Sequence, residues 1–168
     1  KFMKKDHDLA QAYQAIDRLH EAGLIYDAHI MTGVAGKGRG MENAEALAQF
    51  LNRTNPAHVV NFSMFLHKEV PLYQDIRQGT FVPADELETI REEYHLIERI
   101  APEKAGANIL YDGFHDFIHV RVRGHLPGDK EKMLAKLNGI IQEYEGKEPV
   151  YSFVQGECPD LEYCDDGK

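Results

Sequence analysis

The run Ile25–Gly40, IYDAHIMTGVAGKGRG, restricts the possible folds more than any other stretch of the chain. It reads as a β-strand passing into a glycine-rich turn, with a helix beginning near Met41. Strand, glycine loop, helix is the unit by which α/β folds place ligands at the carboxyl ends of their strands. The loop carries Gly33, Gly36, Gly38 and Gly40, with Lys37 and Arg39 between them. Glycine admits positive φ and lets another molecule approach the backbone. The two cations suit an anionic or carboxylate-bearing ligand. No Gly-Lys-Ser/Thr ends the loop, so it is not a P-loop, and its spacing is not that of the dinucleotide fingerprint. The competing reading is a flexible connection with solvated charges.

A chain of 168 residues is long enough for one domain with a real core. Its net charge of −9 argues against general nucleic-acid binding, which wants a basic surface. No apolar run reaches membrane-spanning length, and no secretory signal is found. Cys158 and Cys164 both lie in an acidic tail and suggest no disulfide framework, so a cytoplasmic location is expected. The opening KFMKK, without an initiator methionine, reads as the inside of a longer chain or a trimmed one.

Hydrophobic periodicity predicts a helix over Asp8–Ala22, opened by a capping box of Asp8 and Gln11. A strand follows over 24–32, with Tyr26, Ala28 and Ile30 on one face and Asp27, His29 and Met31 on the other. Polar residues on the second face point either to a ligand cavity or to a wet edge strand. A helix over 41–53, a strand over 58–66 and a helical turn around Tyr73–Gln78 come next. The helix over 84–100 has Leu87, Ile90, Tyr94 and Ile97 as its apolar stripe, and Glu86, Glu88, Glu92 and Glu93 read as its solvated face. A short strand at 108–110, a better one at 117–123 and a helix over 128–144 complete the order. The alternation predicts an α/β chain: three to four mainly parallel strands with covering helices, followed by a loosely held tail over 147–168.

Several short motifs, in this order, resemble the later part of radical S-adenosylmethionine (SAM) domains. The likeness is to Fe–S oxidoreductases of the elongator-protein-3, MiaB and coproporphyrinogen-oxidase superfamily. The motifs are Leu19 to Gly23 before the strand, Gly33-Val34-Ala35-Gly36, Leu51-Asn52 with Pro56, Pro71-Leu72-Tyr73, and Gly124, Leu126, Pro127, Asp129, Lys130, Glu131 and Lys132. The resemblance spans Lys4 to Tyr144, and residues 1–146 would be the carboxy-terminal portion of a partial (β/α) barrel. The CxxxCxxC loop that holds the four-iron four-sulfur cluster is missing, as is the Gly-Gly-Glu segment that meets the methionine amine. The resemblance therefore implies a fragment, inactive alone, of an enzyme that cleaves SAM to a radical and abstracts a substrate hydrogen. SAM and the 4Fe–4S cluster would be cofactors of that parent enzyme. Gly33, Gly36, Asn61 and Ser63 would contribute to the SAM pocket, and Asp27, His29, His115 and His119 would face substrate. Asp27, His29, Asn61 and Ser63 would share the inner face.

Two other functions compete. One is an α/β module binding a nucleotide or phosphate through the glycine loop. The other is a metal-dependent hydrolase in which Asp27, His29, His115, Asp116 and His119 converge at strand ends, although no H-E-x-x-H spacing supports a metal site. A half barrel leaves a strand edge and apolar flanks bare, so the expected partners are the missing amino-terminal half and a second copy of the chain.

Overall fold

The computed structural model describes residues 6–153. It has five helices and a sheet in the order α1 (Leu9–Glu21), β1 (Asp27–Thr32), α2 (Gly40–Thr54), β2 (His58–Ser63), α3 (Pro71–Arg77), α4 (Glu86–Arg99), β3 (Ile109–His115), β4 (Val120–Leu126) and α5 (Lys130–Tyr144). The sheet runs β1-β2-β3-β4. The first three strands are parallel and β4 returns antiparallel to β3. The expected α/β class holds. The ending differs, because β3 extends to His115 and forms a hairpin with β4 (120–126) where a short strand at 108–110 and a longer one at 117–123 were expected.

Local chemistry explains the element ends. Asp8 accepts from the Gln11 amide at 2.8 Å, and the Gln11 side chain accepts from the Asp8 amide at 2.9 Å, so the expected capping box opens α1. Asp85 caps α4 by accepting from the Glu88 amide at 2.8 Å. Asn55 ends α2 in the left-handed region, φ 44°.

Helices α2, α4 and α5 cover one face of the sheet. Ala28, Val59, Ile109, Tyr111, Val122 and Leu126 meet Ala44, Leu51, Ile90, Ile97, Met133 and Leu137 there, all buried. Burying a leucine or isoleucine of this kind stabilises by roughly 1.5–3 kcal/mol. Helix α4 packs between α2 and α5 as well as on the sheet, so it is buried on several sides. A second cluster of Met64, Leu66, Ile76, Phe81 and Phe153 lies past the carboxyl ends of the strands.

Two motifs of the resemblance have structural work here. The Asn52 side chain donates to the Arg99 carbonyl at 3.0 Å and accepts from the Ala101 amide at 2.7 Å, closing the end of α4. Asp129 accepts from the His125 amide at 2.7 Å, and its Cβ leaves no room for a side chain at Gly124. Lys130 donates to the carbonyls of Glu98 and Ile100 at 3.1 and 2.6 Å. Of the tail expected to be loosely held over 147–168, the described part is tied down. The Glu86 amide donates to the Val150 carbonyl and the Leu66 amide to the Ser152 carbonyl, both at 2.8 Å. Cys158 and Cys164 lie outside the described residues.

Candidate functional site

The register decides which side chains share a face. Ala28, Ile30 and Thr32 pair with Val59, Asn61 and Ser63, on the face that the helices cover. Asp27, His29 and Met31 pair with His58, Val60 and Phe62, on the open face. Asp27 and His29 therefore do not share a face with Asn61 and Ser63, contrary to expectation. Asn61 and Ser63 are buried under α4. Their polarity suggested a lumen because the partners that satisfy them sit on a helix whose acidic residues read as solvated. That reading of α4 is corrected too: Glu86, Glu92 and Glu93 are 1, 2 and 0% exposed.

Glu86 and Glu93 are seven residues apart on α4, two helical turns, and so project from one side of the helix. His115, the last residue of β3, lies between them. Its Nδ1 is 3.2 Å from Glu86 Oε2 and its Nε2 is 3.0 Å from Glu93 Oε2. Both ring nitrogens donate to carboxylates only when the ring is an imidazolium. Burial pulls the His115 pKa down, but the Glu93 charge and hydrogen bonds to Glu86 and Glu93 outweigh it and raise the group to about 9. The other Glu93 oxygen accepts from Asn61 at 3.1 Å and from the Tyr111 hydroxyl at 2.9 Å. Burial and the Glu93 charge push Tyr111 well above its ordinary value, so it stays a donor. Glu86 Oε1 accepts from Ser63 at 3.1 Å and from Ser152. Gly113 makes space for the cluster, since a Cβ there would overlap Glu93 Oε1.

Glu92 faces the glycine loop instead. It accepts from the Gly33 amide at 3.0 Å and from Asn43 at 2.5 Å. Burial raises it to about 7 against those two hydrogen bonds. The Gly38 amide donates to Glu88. The Gly36 amide donates to the Gly33 carbonyl at 3.0 Å and the Lys37 amide to the Val82 carbonyl at 2.9 Å. The loop is thus held by α4 carboxylates and by its own carbonyls. An anion seeking these amides would have to displace a carboxylate or a backbone carbonyl already bound.

The hydrolase constellation is not assembled. His115 is buried under α4, Asp27 and His29 begin β1 on the opposite face, and Asp116 and His119 are exposed in the β3–β4 connection. His119 there has φ 52°. Among the described residues no three His, Cys, Asp or Glu side chains are grouped to hold a metal ion. The four residues assigned to a SAM pocket do not fit that group in this arrangement. The Gly33 amide is bonded to Glu92, Gly36 is backed by the Val82 carbonyl, and Asn61 and Ser63 are hydrogen-bonded beneath α4.

The open face has another character. Phe62 stacks on Phe114 at 5.5 Å between ring centres, and Arg121 lies over the Phe114 ring at 4.7 Å. Arg121 also grips Asp112 with two hydrogen bonds of 2.8 and 2.7 Å, which holds the Asp112 carboxyl below its usual range. Exposed Arg123 and His125 follow along β4. Compared with protein-family models, curated proteins and solved structures, the chain matches none.

Among the described residues no helix is long and apolar enough to cross a membrane. Sequence reasoning named Glu86, Glu92 and Glu93 only as a solvated face and not as site residues. A partial signal existed: Glu86 lies one turn before the stripe residue Ile90, and Glu92 and Glu93 lie between Ile90 and Ile97, so a helix packed on three sides buries them.

Proposed function

We propose that this chain is the carboxy-terminal portion of a radical-SAM-type partial barrel, inactive alone, and that its contribution is the substrate-facing wall. One observation carries the reading. The helices α2, α4 and α5 cover a single face of a sheet whose first three strands are parallel, and β1 pairs on one side only among the described residues. A further parallel strand could add there, continuing the sheet toward the half that the resemblance implies. The wall is then the open face: the Phe62–Phe114 stack with Asp27, His29, Asp112 and Arg121 around it. The radical chemistry would belong to the part carrying the cluster cysteines, and no step of it runs through residues described here. His115 is a positioning residue in this reading, fixing α4 against the strand ends. A second copy is the alternative occupant of the β1 edge.

The test is to express the gene from upstream of Lys1 and reconstitute the product anaerobically with iron and sulfide. The expected result is a four-iron absorbance, SAM cleavage, and slower amide exchange over residues 27–32 than in this chain. An extended product without a cluster, or one whose β1 amides exchange equally fast, overturns the reading.

A further inference from the structure

A cavity of about 590 Å³ lies between the glycine loop, the start of α2 and residues 80–82. Its apolar walls include Val34, Phe81 and Val82, and its charged walls are Lys37 and Arg39. No acidic residue lines it, although the whole chain carries a net charge of −9. Lys37 makes no ion pair among the described residues, while Arg39 holds the exposed Glu42 at 2.7 Å. The walls are fixed before any ligand arrives. The Lys37 amide is bonded to the Val82 carbonyl, and a Cβ at Gly36 would come within 2.8 Å of that same carbonyl oxygen. Gly36 has φ +81°, which only glycine adopts without strain. A preformed site of this kind loses little freedom on binding.

We infer that this cavity is a binding site for a small amphiphilic anion, with its apolar body against Phe81 and Val82 and its anionic end between the Lys37 and Arg39 side chains. The recognition differs from a phosphate cradle. The amides of Gly33, Gly36, Lys37 and Gly38 already have acceptors, so the charge is met by side chains. The inference does not rest on the barrel reading, because the cavity is walled by loop and helix residues and includes none of the open-face side chains.

Titrating the chain with hexyl phosphate, hexanoate, hexanol and inorganic phosphate, followed by the amide resonances of Gly36, Lys37 and Val82, tests it. Hexyl phosphate or hexanoate should bind saturably, at least about tenfold more tightly than hexanol or inorganic phosphate. Lys37→Glu should abolish binding and Lys37→Arg should keep it. Both variants alter an exposed side chain, and an unchanged amide spectrum elsewhere verifies the fold. Equal binding of hexanol overturns the charged end, equal binding of inorganic phosphate overturns the apolar wall, and saturable binding untouched by Lys37→Glu places the ligand elsewhere. Failure of all four probes to bind also overturns the inference.

Discussion

The two faces of the sheet invert the usual expectation. The face under the helices contains a buried imidazolium with its carboxylates, while the open face carries stacked phenylalanines at its centre. Polarity along a strand therefore marks which residues share a side without saying which side is wet. The covered charges persist because each has a partner: two ring nitrogens for two glutamates, then Asn61, Tyr111 and Ser63 for the remaining oxygens. Removing one partner from such a set leaves an uncompensated buried charge, which typically costs about 3–5 kcal/mol.

The largest contrast is between two neighbours in β3. Gly113 faces α4 and Phe114 faces the open side. Gly113→Ala would drive a methyl into Glu93 and displace the His115 cluster. We expect a loss of about 4 kcal/mol or failure to fold. Phe114→Ala should cost only about 1 kcal/mol, because its ring is only partly buried and its stack is a local contact. Urea denaturation of both variants checks the pair, and equal losses would erase the distinction between the faces.

A pH series sharpens it. His115 is raised from 6.5 to about 9, so its contribution is full below pH 6.5 and is lost as pH rises through 9. Glu92 is raised from 4.5 to about 7, so folding favours its protonated form and stability declines as pH rises from 4.5 through 7. Both effects run the same way, each roughly 3 kcal/mol at the 1.36 kcal/mol carried by one pKa unit. Thermal denaturation should show a midpoint that falls from pH 5 to pH 9. Glu92→Gln should flatten the part below 7, and His115→Gln the part above 6.5. A slope insensitive to both covered-face variants would remove the cluster from the account.

Most of the fold was legible because it rests on short-range signals. The capping box at Asp8, the stripe of α2 and the alternation of β4 each identify an element from a few neighbouring residues. The site was less legible because it is made by long-range packing. Glu93 meets His115 across 22 positions, and nothing near either residue announces the pairing. Acidic residues on a helix are solvated by default, and only the crossing of α4 between α2 and α5 overrides that. The motif residue Asn52 shows the intermediate case: the sequence marks it, while its work of closing α4 emerges only in three dimensions. Asn52→Ala should lose about 1–3 kcal/mol through the unsatisfied Arg99 carbonyl and Ala101 amide, read from the same urea transitions. A neutral result would mean that water replaces both bonds.

The smallest effect belongs to the open face and has the opposite pH sign. Arg121 holds Asp112 from a side chain that is 52% exposed. Such a pair contributes little, because water and salt screen it and two side chains must be held still. Asp112 has a lowered pKa, so the pair stabilises above the ordinary carboxylate range and loses its effect as pH falls below about 4. Arg121→Ala should therefore change stability at pH 7 less than any variant above, with the difference shrinking in acid and in molar salt. A cost for Arg121→Ala as large as that of Asn52→Ala, unaffected by salt, would show that the open face is shielded from water and that something in the chain already covers it.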